Sequence, residues 1–517
     1  MMKDLRAARP SPRGGGAIVL AFACLTATAG DWPAYRGPAG NGICPERIAT
    51  EWPADGPPLL WRRPLTEGFG SMSVADGRLF TLVLGEDAGG PRELCVAFDA
   101  VTGDPLWSAD VGPGGGYQSG PEAEAGGSDG PRSTPVWHAG RVYVLATYLQ
   151  LSCLEAATGE VVWSTHLRND LEAYTIPWHS AASPVIADGA LLVSTGRAGR
   201  AMVGLNPADG AVLWRSGSGN YTHATPVPVN LAGRSQVIFA TWEGLLALDP
   251  ATGAEVWRHP LAFNHTSVGA SPVVVGDLVY CSAAYGTGAA AARISGSGPA
   301  WQATPVWRKV SARLMNHWMT PVAHAGHVYG FYGQHKYTTA PLQCVDVETG
   351  EVLWGEDGFG HGGLLLVGDL LLAATDRGDL VLADASPEAY HERARFRAIR
   401  NGVVWNVPAI SNGRLYVRGT RELAAFDVSL PLPPPLRLGA RLAEHGGIRI
   451  EVRSEGPDAI PADRAERVEA VTSLRPELPL ADWEPVGIEW TWDSGSLWGE
   501  LPVEEAVGRR FFRVIEQ

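Results

Sequence analysis

One ten-residue phrase recurs along this chain and constrains its fold more than anything else in it. The phrase reads FDAVTGDPLW at Phe98–Trp107, LEAATGEVVW at Leu154–Trp163, LNPADGAVLW at Leu205–Trp214, LDPATGAEVW at Leu248–Trp257 and VDVETGEVLW at Val345–Trp354. Each copy has an apolar residue, usually an acid, a Thr-Gly or Asp-Gly turn, and a short apolar run closing on Trp. Gly supplies the positive φ of a hairpin turn, so the phrase reads as strand, tight turn, strand. A chain of 517 residues is too long for one ordinary core unless such a repeat builds it.

A second phrase precedes each hairpin: a small residue and Pro, an apolar stretch, a turn with Gly, and an apolar strand. Clear copies begin at Thr134-Pro135, Ser183-Pro184, Thr225-Pro226, Ser271-Pro272 and Thr320-Pro321, and weaker ones run over Ser71–Leu82, Gly363–Ala373 and Val407–Val417. That makes eight units of about four short strands each, at a period of roughly 43 to 56 residues from Trp to Trp. The expected fold is all-β, an eight-bladed β-propeller with four-stranded antiparallel blades. Trp61, Trp107, Trp163, Trp214, Trp257, Trp307 and Trp354 are expected to dock blade on blade, with Phe396 as a degenerate eighth. Trp61 stands before the first inner phrase, and no Trp follows the last one. The N-terminal strand is therefore expected to complete the last blade and close the ring.

The ends differ from the repeat. Lys3, Arg6, Arg9 and Arg13 precede the apolar stretch Ala17–Ala23, and Ala27-Thr28-Ala29 offers small residues for cleavage after Ala29 or Gly30, as in a signal peptide. The apolar run is far shorter than the roughly 20 residues of a spanning helix. Cys24 after Ala21-Phe22-Ala23 is the alternative, a lipid-attachment site. Without this segment's four bases and one acid, the formal charge of −14 becomes −14 − 3 = −17, which argues against nucleic acid and anionic membranes as partners. Five cysteines then remain, Cys44, Cys95, Cys153, Cys281 and Cys344, an odd number with no CxxC pair. Cys153 and Cys344 share one repeat position in distant blades and cannot bridge. Near the other end, LPLPPPL at Leu430–Leu436 reads as a stiff linker. The expected organisation is a signal peptide over 1–29, an N-terminal extension over 30–56, the propeller over 57–428, a Pro-rich linker over 429–437, and a small β-sandwich-like module over 438–517.

These motifs resemble the bacterial PQQ-like β-propeller repeat proteins, a group that includes the outer-membrane assembly lipoprotein of the Bam complex and, more distantly, the quinoprotein alcohol dehydrogenases. The opening Asp31-Trp32-Pro33 with Tyr35-Arg36-Gly37-Pro38 is similar to the start of many secreted members. The repeat marks the fold rather than a cofactor. The resemblance implies that a dehydrogenase of this kind holds its quinone with an adjacent-cysteine disulfide, a carboxylate-bound Ca²⁺ and an Asp base. This chain has no Cys-Cys pair, so PQQ with calcium is not expected and no other cofactor is assigned.

In a propeller, the segments entering the innermost strands line one mouth of the channel. Here they hold His179, His223, His265, His317 and His361, five of 13 histidines in about a tenth of the length. Arg132, Trp178, Trp318, Trp405, Asn220, Asn264, Asn316 and Asn406 join them. No Glu lies in these segments, and Asp129 is merely nearby. Three readings stand: polar groups satisfied by loop backbone and water at a solvated pore; a site for a small polar molecule, glycan or peptide, with the indoles as stacking surfaces; or a metal or redox centre, imidazole being a common ligand. The glycine-rich stretch Gly112–Gly130, with Tyr117, Glu122, Glu124 and Asp129, reads as a loop or flap beside that mouth. The expected protein is exported, periplasmic or at the cell surface, and acts as a non-catalytic binding or scaffold protein through its channel mouth and blade edges. Its partners would be a protein, a glycan or a small polar ligand. The alternative is a quinone- or metal-dependent oxidoreductase at the His- and Trp-rich mouth.

Overall fold

The acid of the repeated phrase sets its turn. Asp99 Oδ1 accepts the amides of Val101 and Thr102, both at 2.8 Å, and Asp249 and Asp346 each accept the amide and the hydroxyl of a Thr three residues on. The Gly that follows has a positive φ, 72° at Gly103 and 77° at Gly159. After the turn the outer strand carries a bulge, as between Cys153 and Leu154, so both residues before the Trp point outward.

The computed structural model describes residues 20–24, 30–116, 130–197, 200–263, 268–298, 300–333 and 339–430, and then the strands of the C-terminal region; for 20–24, 197, 200 and all beyond 430 it describes backbone alone. Tyr117, Glu122, Glu124 and Asp129 of the glycine-rich stretch, and Asn264 and His265 of the mouth, lie outside the described residues. Two units are present, Ala29–Leu430 and a second made of Met1–Thr28 with Pro431–Gln517.

The larger unit is an eight-bladed β-propeller of antiparallel sheets. Its inner strands, in blade order, are Ser73–Ala75, Val136–His138, Val185–Ala187, Val227–Leu231, Val273–Val275, Val322–His324, Gly363–Val367 and Ala409–Ser411. The last blade takes its outer strand from the start of the chain: Leu59–Pro64 pairs antiparallel with Glu422–Asp427, and Arg62 pairs there with buried Glu422. The ring therefore closes as the Trp count implies.

The closing Trp of one blade docks on the next. Trp61 Nε1–H donates to the Ala100 carbonyl, and Trp107, Trp163, Trp214, Trp307 and Trp354 donate to Ala156, Pro207, Pro250, Val347 and Ser386, at 2.8–3.3 Å. The turn glycine of the receiving blade lies under the indole; a Cβ on Gly159 would sit 2.6 Å from the Trp107 ring. Trp257 departs from the series. It donates to Gln236 Oε1 of its own blade at 2.7 Å, because the fifth blade replaces the Thr-Gly turn by a longer hairpin, Gly288–Ser297 with Ala300–Lys309. Phe396 holds the eighth position, edge-on to Trp52 at 5.7 Å and to Phe426 at 5.2 Å.

Within the N-terminal stretch 30–56, residues 31–49 form a strap across the channel. Trp32 exchanges backbone hydrogen bonds with Val74 of the first blade, and the Pro33 carbonyl accepts from Trp137 of the second. Arg36 reaches the carbonyls of Thr320 and Pro321 at the sixth blade. Ile43–Cys44 then adds a parallel fifth strand to the seventh blade, against Leu366 and Val367. Glu46 accepts from the amides of Asn412 and Gly413 in the turn after the last inner strand. The strap thus touches the inner strands, the segments that enter them or the turns that follow them in five blades.

The second unit holds two four-stranded sheets, which fits the sandwich-like module. Glu484–Val486 and Thr491–Asp493 belong to different sheets, and the strand Leu436–Leu442 starts within the Pro-rich stretch 429–437. Leu20–Cys24, within the expected signal peptide, pairs in parallel with Phe511–Glu516. Among the described residues no helix is long and apolar enough to cross a membrane, and Cys44, Cys95, Cys153, Cys281 and Cys344 are buried free thiols.

Candidate functional site

The small residue before each Pro of the second phrase has a specific job. Its hydroxyl accepts the backbone N–H of the equivalent residue in the neighbouring blade: Val407 N–H donates to Ser71, Ser71 N–H to Thr134, Thr134 N–H to Ser183 and Ser183 N–H to Thr225, at 2.9–3.1 Å. Ser271 N–H continues to the Thr320 hydroxyl at 2.9 Å. Backbone groups entering the inner strands have no ladder partner on the channel side, and this belt satisfies them. The belt rings the channel just inside the mouth.

A cavity of about 590 Å³ lies at that level. Ser71, Ser183, Thr225 and Thr320 of the belt contribute to its wall, and Tyr35 of the strap lines it as well.

One half of the wall is aromatic. Phe69 stacks on Trp405 with ring centres 5.1 Å apart and planes at 19°, and Trp405 meets Trp318 at 4.7 Å. Trp318 carries His361 at 5.1 Å and His317 edge-on at 4.4 Å, and the His317 Nε2 is 3.2 Å from the Tyr285 hydroxyl. Trp405 and Trp318 were expected as stacking surfaces for a ligand. They line the cavity while packed on these neighbouring rings. Trp178 lines the cavity as well.

The other half is polar. Arg132 Nη1 donates to the Trp178 carbonyl at 3.3 Å, and its guanidinium lies 5.9 Å from the Phe69 ring. Trp178 and His179 have φ of 65° and 62°, two successive non-glycine residues in left-handed conformation; such backbone costs about 1–2 kcal/mol per residue and concentrates at functional sites. His223 lines the cavity beside the belt.

Of the residues singled out in the sequence, Arg132, Trp178, His223, His317, Trp318 and Trp405 come together around the cavity. The other described candidates are not among its lining residues. His179 is set edge-on against Tyr148 at 4.7 Å. Asn220 accepts from the Tyr174 hydroxyl and is tied to Glu243. Asn316 donates to the carbonyls of Met319 and Phe331, and Asn406 to those of Phe69 and Gly70, so both amides serve the backbone. His361 is buried behind Trp318 and donates its backbone N–H to Asp376, a half-buried carboxyl whose pKa is raised by desolvation. Among the described residues no three His, Cys, Asp or Glu side chains converge as a metal site. Three lining residues escaped the sequence reading. Phe69 lay in a mouth segment scanned for His, Trp and Asn, Tyr285 sits in a hairpin turn, and Tyr35 belongs to the strap.

The chain matches the family described as outer membrane protein assembly factor BamB over residues 91–356, a little over half its length. It is 27% identical over 252 residues to outer membrane protein assembly factor BamB of Burkholderia pseudomallei, covering 48% of this chain and 58% of that protein. It is 28% identical over 196 residues to quinoprotein ethanol dehydrogenase of Pseudomonas aeruginosa, covering 34% of this chain and 28% of that protein. The chain thus spans less than two thirds of either relative. Among solved structures, quinohemoprotein alcohol dehydrogenase from Comamonas testosteroni superposes with a TM-score of 0.56 at 15% identity, over 80% of this chain and 83% of that one; this likeness concerns the fold.

A calcium–quinone pair fits these residues poorly. Among the described residues no Asp, Glu or Cys lines the cavity, so they offer a hard cation no carboxylate ligand there and the ring no disulfide to lie on. No step through that group is derived.

Proposed function

Because the chain belongs to the PQQ-like propeller family of outer membrane protein assembly factor BamB, we propose that it is an exported, non-catalytic binding protein whose mouth pocket takes up a small polar ligand. The observation that carries this reading is the pocket itself. It is lined by Tyr35 of the strap, by the aromatic cluster of Phe69, Trp318 and Trp405, and by Arg132, His223 and Trp178. A concave cavity of several hundred Å³ with few convergent polar groups is the usual form of a small-molecule site. Its strained Trp178–His179 corner supports the same reading.

The blade edges give this protein a second binding surface, suited to a protein partner. The outward bulge before the docking Trp leaves Leu59, Leu60, Leu106, Val161, Val162 and Leu213 exposed on successive blades. Export rests on the basic and apolar start of the chain with small residues at Ala27–Ala29.

The test is made on the mature protein: an absorption spectrum and elemental analysis for Ca, Cu, Fe and Zn, before and after PQQ with Ca²⁺, followed by titration with small polar ligands read by Trp fluorescence. Saturable quenching by a ligand, lost in Trp178→Ala, supports the binding reading. A stoichiometric metal or a quinone band that depends on His317 overturns it in favour of an oxidoreductase.

A further inference from the structure

The belt has hydrogens left over. Ser71, Ser183, Thr225 and Thr320 all line the cavity, and each is more than nine-tenths buried. Their hydroxyl oxygens accept the amides of Val407, Thr134, Ser183 and Ser271, at 2.9, 2.9, 3.0 and 2.9 Å. Among the described residues no acceptor takes the hydrogen of any of these four hydroxyls. Ser271, the belt member of the fifth blade, contrasts with them. It is not among the lining residues, and its hydroxyl donates to the Thr225 carbonyl at 2.8 Å.

A buried donor without an acceptor is costly, and a hydroxyl can rotate its hydrogen toward the cavity that its residue lines. Accepting an amide also polarises the O–H bond and makes it a stronger donor. Each oxygen then keeps one hydrogen to give and one lone pair to offer. A ligand hydroxyl answers both, whereas a ligand carbonyl answers the hydrogen alone. The four residues enter the first, third, fourth and sixth blades, so hydrogen bonds reach the channel from several sides. A molecule with a single polar head can use only part of such a ring. A cyclic molecule with hydroxyls around its rim can use all of it, and its C–H faces can cover apolar surface of Phe69, Trp318 and Trp405 in the same wall.

Resting on the reading of this pocket as a ligand site, we propose that it takes a neutral cyclic polyol, a cyclitol or a pyranose, held by the belt hydroxyls. Recognition by the belt uses no ion pair. The same hydroxyls that join blade to blade through their oxygens thus hold the ligand through their hydrogens.

The experiment is calorimetric titration of the whole protein with myo-inositol, with methyl α-glucoside, and with two compounds that lack the hydroxyl rim, cyclohexanol and indole. At least one polyol should bind roughly tenfold more tightly than cyclohexanol, the scale of one or two net hydrogen bonds, and which polyol binds tells a cyclitol from a pyranose. Thr225→Val should weaken that polyol roughly three- to tenfold, and Thr225→Ser should retain it. Thr134 belongs to the belt, accepting the Ser71 amide at 3.1 Å, but is not among the lining residues. Thr134→Val should therefore cost stability and leave the affinity unchanged. If Thr225→Val does not fold, Thr320→Val and the comparison of ligands on the unaltered protein decide. Cyclohexanol or indole binding as tightly as either polyol overturns the polyol and leaves the binding reading intact, as does an equal loss of affinity in Thr134→Val and Thr225→Val. Binding of none of the four compounds overturns both.

Discussion

A hydroxyl and a glycine show how much of this ring hangs on single atoms. Thr225 accepts the Ser183 amide through its hydroxyl at 3.0 Å, while its own carbonyl accepts the Ser271 hydroxyl at 2.8 Å. Thr225→Val keeps the shape and removes the acceptor, leaving a buried amide unsatisfied at a cost of about 1–3 kcal/mol. Thr225→Ser should recover most of that loss, which urea denaturation of the two variants can check. At the outer turns the relevant atom is one that is missing. Ala at Gly159 would meet two penalties, the left-handed φ of 77° and the Trp107 ring 2.6 Å from the new Cβ, whereas Ala at Gly77 would meet the first alone, with nothing within 4 Å. Gly77→Ala should therefore cost about 1–2 kcal/mol, and Gly159→Ala distinctly more. Equal losses in the two variants would show that the indole yields without cost.

At the scale of elements, two N-terminal segments hold the ring and differ in how far the sequence announced them. The closing strand Leu59–Pro64 was legible because Trp61 stands ahead of the first inner phrase and the last phrase lacks a Trp. The strap was not. Trp32 to Glu46 has neither periodicity nor a repeat partner, and its contacts run to Val74, Pro321, Leu366 and Gly413, distances along the chain that no local pattern encodes. The mouth lies between these cases. Repeat counting gathered His, Trp and Asn at the right end of the channel, but an amide facing the pore and an amide bonded to backbone occupy the same repeat position, so Asn316 and Asn406 looked like Arg132. Trp178, in a left-handed corner beside Arg132, and Trp318, packed among His317, His361 and Trp405, were alike for the same reason. The strap makes its own prediction. Trp32 is buried to about 1% exposure against the first blade and under Gly37, so Trp32→Ala should cost about 3–5 kcal/mol. With the strap loosened, ligand affinity at the mouth should fall further than in a core variant of equal stability remote from the channel, such as Val203→Ala.

For the whole molecule, the cysteines report on both the fold and the start of the chain. Cys95, Cys153, Cys281 and Cys344 sit in four different blades, and Cys44 is in the strap strand added to a fifth. None has a partner thiol, and burial pushes every one of these thiols up, Cys153 and Cys344 to about 11, beside Tyr143 and Tyr329 across the strand pair. A buried, protonated thiol is a poor nucleophile. The folded protein at pH 8 should therefore react with a thiol reagent hardly at all, and its melting temperature should be the same with and without reductant, even after passage through an oxidising compartment. Unfolding then exposes the count. Five reactive thiols are expected if the proposed cleavage after Ala29 or Gly30 has removed Cys24, and six if Leu20–Cys24 remains as the strand beside Phe511–Glu516. Five, with Asp31 or Gly30 as the first residue found by N-terminal sequencing, supports export with the strap intact from its first residue. Six in protein isolated from the cell envelope overturns cleavage and makes that parallel strand a permanent part of the C-terminal sheet.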